Sequence, residues 1–470
     1  MRVHFIAIGG AVMHNLAIAL HLRGDVVSGS DDRISDPSRS RLARYKLLPP
    51  REGWFPEKIS PELDAVILGM HAREDNPELL RAMHLSVPLY SFPAFLYSQY
   101  KNKQRAVIAG SHGKTTITAM VLHALHTAGL QPDYMVGASL EGFEVMVKVS
   151  EEAHIAVLEG DEYLSSPLDP RPKFLHYAPH IALISGIAWD HINVFPTEQE
   201  YLEQFVSLME HIEPGGSVVY CEEDETLREL VAQGPEHIHY IPYRTPVYTI
   251  EKGKTTLFAD ADPGNQEGST MPSSIYRHFP LQIFGKHNLQ NLAGAMQVCQ
   301  LLGLAPLDFL NSMTTFKGAA RRLEKVASKD ESVVYRDFAH APSKLKATVA
   351  AAREQYPDHS IQACIELHTF SSLSAQFLPQ YFQALDAADE ALVFYHPETL
   401  RQKKMAPISP EEVRTAFGRT DIHIAQTNTE VQDWLKTRNA QKSCLLLMSS
   451  GSFHELDILS LLKEKDYELL

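Results

Sequence analysis

Short apolar, β-branched runs alternate with longer segments of helical period along almost the whole chain. Val3–Ile8 predicts a strand and Met13–Leu22 a helix, and Ala65–Leu68 predicts a strand followed by helical Pro77–Met83. Arg105–Ala109 predicts a strand, then a turn, then helical Thr116–Thr127. Ile155–Leu158 and Ile181–Ile184 read as strands, and Thr197–His211 as a helix entered through Pro196. The alternation resumes with strand Val333–Tyr335, helical Ser343–Glu354, and strands Ile361–Ile365, Ala391–Tyr395 and Cys444–Met448. Strands separated by helices imply βαβ crossovers and parallel sheets covered on both faces, an α/β fold.

At 470 residues the chain is too long for a single hydrophobic core. Polar Tyr97–Gln104 reads as a linker before a new strand, and a second break lies near Lys317–Arg322. Three domains follow, 1–103, 104–318 and 319–470, with polar Glu251–Gly268 as a surface excursion of the middle one. Acidic residues outnumber basic ones, 58 to 43, for a net charge of −15. Such a surface repels nucleic acid and anionic membranes at long range, so no nucleic-acid or membrane partner is expected. It also makes any local Gly/Lys/Arg constellation informative. The cysteines Cys221, Cys299, Cys364 and Cys444 form no CxxC pair, which points to buried thiols in a reducing cytoplasm. Val3–Leu22 reads as strand, glycine turn and helix, not as a leader, and no stretch is long and apolar enough to span a bilayer.

The strongest chemical signal is Gly110-Ser111-His112-Gly113-Lys114-Thr115-Thr116, set between a strand and a helix. Glycines let successive backbone N–H groups turn into one concavity, and the helix N-terminus adds partial positive charge there. Lys114 can reach the β/γ-phosphates of a bound nucleotide and Thr115 can ligate Mg²⁺. Ile108 stands where the general phosphate-loop pattern has its first glycine. Downstream, Glu159-Gly160-Asp161-Glu162 ends a strand, where ligands of open α/β sheets sit and where carboxylate oxygens suit Mg²⁺. Asn288 and Asn291 stand three apart at the start of a helix and could face one ligand, although helix capping by Asn288 serves as well. Near the start, Ala7-Ile8-Gly9-Gly10-Ala11-Val12 is a degraded dinucleotide turn, with Ser30-Asp31 about 20 residues on.

Taken in order, these segments resemble the Mur ligase family, whose ATP loop also lacks the first glycine. The resemblance covers essentially the whole chain. It implies an N-terminal Rossmann-like UDP-binding domain, a central P-loop-type ATPase domain with a parallel sheet, and a C-terminal Rossmann-like domain that binds the amino substrate. By it, Gly9, Gly10, Ser30 and Asp31 form the UDP-sugar turn, and Glu159 and His191, with Thr115, serve Mg²⁺. Asn288 and Asn291 meet adenine, Arg322 meets the γ-phosphate, and Asp337 meets ribose or γ-phosphate. His340 and Lys344 lie toward the amino substrate, although exposed helix-face lysines are common. Val12, Arg336 and Ala341 depart from the family pattern. Some members also carry a carbamylated lysine in the helix after Asp190-His191. Here no lysine occurs between Lys173 and Lys252, and the matching position is near Phe205.

The implied reaction is ATP-dependent amide-bond formation on UDP-N-acetylmuramate. Asp169–Tyr177, Asn193–Pro196 and Leu447–Gly451 look most like the murein peptide ligases, which use the tripeptide L-alanyl-γ-D-glutamyl-meso-diaminopimelate. Ile365–Phe370 has something of the members that use L-alanine. A simple nucleoside-triphosphatase and a catalytically silent nucleotide-binding regulator are the readings from other classes.

Overall fold

A computed structural model of the chain describes all residues except 71, 139, 141, 167, 190–193, 261–275 and 439–440. The chain divides into two compact units, Met1–Trp189 with Glu198–Arg244 and Gly294–Phe309, and Asp190–Thr197 with Thr245–Ala293 and Leu310–Leu470.

Among the described residues the first unit holds two larger sheets and a two-stranded antiparallel one, Leu164–Ser166 with Asp169–Pro172. One is wholly parallel, in the order Val26–Ser30, Arg2–Ile6, Ala65–Leu68, Leu89–Ser91. Ala65–Leu68 is buried on both faces, which is why it reads as four continuous apolar residues. The first strand ends at Ile6, short of the expected Ile8. Ala7 turns to φ 67°, and the N–H groups of Ala7 and Ile8 both reach the Ser30 carbonyl. The second sheet has seven strands, in the order His239–Tyr243, Ser217–Cys221, Ile181–Ile184, Gln104–Ala109, Ile155–Glu159, Asp133–Met135, Val147–Lys148. All its pairings are parallel except the last.

The second unit is built on another seven-stranded sheet. Its order is His423–Ala425, Glu390–Phe394, Ser360–Glu366, Ser443–Met448, Ser332–Asp337, Glu324–Lys329, Glu468–Leu469, with the first five strands parallel. A three-stranded antiparallel sheet, Tyr248–Glu251, Lys254–Asp260 and Tyr276–Leu281, belongs to the same unit. The expected polar excursion from Glu251 is therefore a hairpin strand as far as Asp260; Thr255 Oγ1 in it bonds Gln355 at 2.9 Å. Residues 261–268 lie outside the described part. All four cysteines are buried and free, as expected. Among the described residues no helix is long and apolar enough to cross a membrane.

The stretch expected as a linker, Tyr97–Gln104, joins a helix to a strand. Helix Phe92–Tyr100 runs through its first half and strand Gln104–Ala109 begins at its last residue. The two tyrosines outweigh the polar residues around them. Tyr100 is fully buried, its hydroxyl 2.7 Å from the Lys148 carbonyl, and Tyr97 lies against the Arg105 guanidinium. Arg105, also buried, closes the junction. Its nitrogens donate to the carbonyls of Tyr100, Lys101, Lys103, Tyr177 and Ala178 and to Glu213. Truncating it strands five carbonyl acceptors, those of Tyr100, Lys103 and Tyr177 in buried hydrogen bonds, and the Glu213 carboxylate, so Arg105→Ala should destabilise the first unit by about 3–5 kcal/mol. Urea denaturation followed by tryptophan fluorescence checks this. Arg105→Lys should recover little, since one ammonium cannot span the same set.

Candidate active site

In the first unit, strand Gln104–Ala109 lies between Ile155–Glu159 and Ile181–Ile184, so the loops after all three open at one sheet edge. The phosphate loop follows the middle strand. Gly110 takes φ 119°, and a Cβ there would collide with Ser185 Oγ and the Gly186 carbonyl. Gly186 also accepts the Ser111 N–H at 2.9 Å, and Ser185 Oγ donates to the His112 carbonyl. The loop is thus tied to the end of the neighbouring strand. Gly113, at φ 71°, caps helix Lys114–Thr127, which presents Lys114, Thr115 and Thr116 in its first turn.

The loop meets the acidic run after Ile155–Glu159. Lys114 Nζ donates to Glu162 Oε2 and to the Gly110 carbonyl, each at 2.8 Å. Thr115 Oγ1 donates to Glu159 Oε1 at 2.7 Å, and the Gly137 N–H to Glu159 Oε2 at 2.6 Å. Asp161 pairs with Lys173 at 3.1 Å, and Lys173 lies 4.1 Å over the Tyr163 ring. Burial opposes the charge on Lys114, but Glu162, Asp161 and Glu159 outweigh it and hold its pKa above the ordinary lysine value. Burial raises Glu159, and repulsion from Asp161 adds to it against the Thr115 and Gly137 hydrogen bonds. Burial acts on Asp161 too, yet Lys173 and Lys114 hold it below the usual carboxylate range.

In sequence the acidic run is one group of strand-end acids; the fold separates their parts. Glu159 meets the threonine and Glu162 the lysine, while Gly137 enters from a loop that sequence alone gave no reason to single out. Helix Glu198–Glu210 covers this region with buried Tyr201 and Phe205, and Phe205 packs edge-on to Phe174 and Tyr201, centroids 5.8 and 5.3 Å away. The Tyr201 hydroxyl lies 3.4 Å from Glu162 Oε1. Hard oxygen donors from Glu159 and Thr115, and a carboxylate left short of neutralising charge, fit a Mg²⁺ ion that takes its other ligands from phosphate and water. Among the described residues no three His, Cys, Asp or Glu side chains converge as a self-sufficient metal site. His191 falls outside the described residues.

At the glycine turn, the Gly9 N–H donates to Asp31 Oδ2 at 2.7 Å, and a Cβ on Gly9 would come within 2.9 Å of that oxygen. Asp31 also accepts from the Arg33 N–H at 3.3 Å, so it braces the turn. Burial and neighbouring Asp32 raise its pKa. Ser30 is buried, with Lys58 Nζ 3.2 Å from its hydroxyl, and Val12 is half-buried in the first turn of helix Ala11–Arg23.

In the second unit, Asp337 ends a strand and is buried. It accepts from the N–H groups of Leu323 and Ala339 at 2.6 and 2.7 Å and from Thr348 Oγ1 at 3.4 Å. Burial raises its pKa, against the pull of Arg322. Arg322 lies 4.5 Å over the Phe338 ring, and His340 Nδ1 bonds the Phe338 carbonyl at 2.8 Å. Arg322, Asp337 and His340 are therefore brought together around Phe338. Asn288 and Asn291 are both buried, and Asn288 Nδ2 donates to the Phe284 carbonyl at 2.9 Å. Lys344 is half-buried and Lys346 exposed.

Comparison with known proteins agrees with this geometry. A model of the Mur ligase middle domain matches residues 108–299, and one of the Mur ligase family catalytic domain matches residues 2–104. A UDP-N-acetylmuramate–L-alanine ligase from Arthrobacter sp. (strain FB24) is 32% identical over 392 residues, covering 83% of this chain and 80% of its own. The chain belongs to the Mur ligase family. As a Mur ligase it is an ATP-dependent ligase of peptidoglycan synthesis. Two solved structures share the fold along nearly all of this Mur ligase. One is a UDP-N-acetylmuramate-alanine ligase from Thermotoga maritima, TM-score 0.70 at 20% identity, with 99% of each chain covered. The other is a murein peptide ligase from Psychrobacter arcticus 273-4, TM-score 0.65 at 21% identity, with 98% of each covered.

Two substitutions probe the loop. Lys114→Ala should lower product formation on the order of a thousandfold while calorimetric binding of UDP-N-acetylmuramate persists; ligation near the wild-type rate would sink the assignment. Glu162→Gln removes an anion that occupies Lys114, so ADP should bind more tightly, on the order of tenfold. Weaker ADP binding would mean that Glu162 serves to aim the lysine.

Proposed function

We propose that this Mur ligase joins the carboxylate of UDP-N-acetylmuramate to the amino group of a short peptide, L-alanyl-γ-D-glutamyl-meso-diaminopimelate. The observation that carries the activation step is Lys114 and Thr115 set against buried Glu162 and Glu159 at one strand edge. A carboxylate oxygen of the sugar attacks the γ-phosphorus, and the bond to ADP breaks, giving an acyl phosphate. The peptide nitrogen then attacks the acyl carbon, and the tetrahedral intermediate expels phosphate as the amine loses a proton. Lys114 spreads the charge of the transferring phosphoryl group, and by the family pattern Arg322 joins it. Thr115 and Glu159, joined by His191 in the family pattern, would hold a Mg²⁺ ion, which would supply further neutralisation of that charge. The glycine turn at Gly9 and Gly10 with Ser30 and Asp31 takes the UDP moiety, and Asn288, Asn291 and Asp337 the nucleoside of ATP. We retain the division into 1–103, 104–318 and 319–470 for these three tasks, with His340 and Lys344 toward the donor.

The peptide reading draws on the Asp169–Tyr177 and Leu447–Gly451 stretches and on the histidines and cations at the strand ends of the second unit. L-alanine is the second reading, favoured by the name of the 32% identical relative. Steady-state comparison decides: the tripeptide should show the higher kcat/KM, and a higher value for L-alanine would reverse the assignment. ATP turnover without UDP-N-acetylmuramate would favour a simple nucleoside-triphosphatase, and nucleotide binding with no phosphate release a silent regulator. By the family pattern the place of the carbamylated lysine falls near Phe205, which is buried. Activity should therefore be indifferent to bicarbonate; recovery by bicarbonate after mild acid treatment would contradict this.

A further inference from the structure

A second set of side chains collects at the C-terminal ends of the parallel strands in the second unit. Strand Ser360–Glu366 ends in Glu366, whose buried carboxylate accepts from Ser449 Oγ, from the Phe453 N–H at 2.8 Å and from the His454 N–H at 3.2 Å. These bonds hold a run of three non-glycine residues, Phe453, His454 and Glu455, at φ 51°, 51° and 63°. L-residues rarely adopt that conformation, and surroundings that enforce it point to a use for the side chains it aims.

The side chain aimed is His454. Its ring lies on His396, centroids 3.7 Å apart and 11° from parallel. His396 follows strand Glu390–Phe394, and its Nδ1 accepts the Glu398 N–H at 3.2 Å, which leaves its proton on Nε2 as a donor. Burial and the facing His454 hold the His396 pKa below the ordinary imidazole value. His368 stands beside them with Nδ1 3.8 Å from Glu366 Oε1, and Lys403 sits 4.3 Å over the Phe370 ring. Farther along the same edge, Arg321 Nη2 donates to the Gly451 carbonyl at 2.7 Å. Arg321 Nε and Ser450 Oγ are buried there with no hydrogen-bond partner among the described residues. Open α/β sheets take ligands at this edge, where the strand order reverses. Here the reversal is at Ser443–Met448, which returns between Ser332–Asp337 and Ser360–Glu366.

We propose that His396 and His454, set by Glu366, form the subsite for a distal carboxylate of the amino donor and so determine donor specificity. The proposal rests on the peptide reading above and extends it to named residues. Span supports it. From the end of Ser332–Asp337, where Asp337 and His340 lie, to the end of Glu390–Phe394 is three strand spacings, roughly 14 Å at about 4.8 Å each. A three-residue donor reaches about 10 Å along its extended backbone, and its side-chain and terminal carboxylates extend it further. A single amino acid covers about one spacing, so only a peptide can touch both ends.

The test compares kcat/KM for the tripeptide and for the same tripeptide with carboxamides in place of the carboxylates on its last residue. The enzymes are wild type, His454→Gln and His396→Asn; the asparagine keeps an acceptor for the Glu398 N–H, and circular dichroism checks the fold of each. Wild type should favour the free carboxylates by about tenfold or more, since a built hydrogen-bonding subsite rejects the group it cannot match. Both variants should bring the ratio to about one. Retention of the wild-type preference in both variants, or a wild-type ratio of one, overturns the subsite and leaves the peptide reading standing. Ligation of L-alanine with neither peptide accepted overturns both.

Discussion

At Gly110 the backbone must turn into a conformation open to glycine while passing within van der Waals contact of the next strand's end. A side chain here would occupy the space of Ser185 and Gly186, and pushing the loop outward would break the Ser111–Gly186 and Ser185–His112 hydrogen bonds that seat it. The helix that follows would then start in a different place, and Lys114 and Thr115 would lose their partners. The rest of the candidate site in this unit hangs from that contact. Because the ladder is parallel, Glu159 and Glu162 can approach only from the adjacent strand's end, which is where Lys114 and Thr115 emerge.

The charge arrangement follows from this packing. A chain with net charge −15 places Lys114 and Lys173 among Glu159, Asp161 and Glu162. Burial opposes the charges on Lys114, Glu159 and Asp161. Lys173 and Lys114 hold Asp161 below the usual carboxylate range, and Glu159, left with hydrogen bonds but no ion pair of its own, is the group whose pKa rises. That asymmetry distinguishes the acid suited to a metal ion from those that organise the lysines. Tyr201, Phe205 and Phe174 close the region with apolar surface, which strengthens every interaction inside it.

Much of this was legible in the residues. Gly-Ser-His-Gly-Lys-Thr-Thr between strand and helix is a local signal, and Ala65–Leu68 and Ile181–Ile184 were bounded correctly because buried parallel strands read as unbroken apolar runs. In polar Tyr97–Gln104 the burial of Tyr100 and the packing of Tyr97 against Arg105 were not legible, because polarity masks them. Glu162 and Gly137 could not be assigned their partners from sequence: their contacts cross 48 and 22 positions and depend on which strands are neighbours. Asp337 was legible as a strand-end acid, but its bonds to the Leu323 and Ala339 backbone were not, because they arise from how the chain folds back at Arg321–Leu323.

Arg105 shows what one buried guanidinium does to the history open to a sequence. It grips carbonyls at 100, 101 and 103 on one side and at 177 and 178 on the other. Adding or deleting a single residue between Tyr100 and Arg105 would unseat several of these bonds at once. The connection can therefore drift in side chains but not in length. Insertions that reshape such a protein over time must enter elsewhere, at turns whose backbone groups already face water.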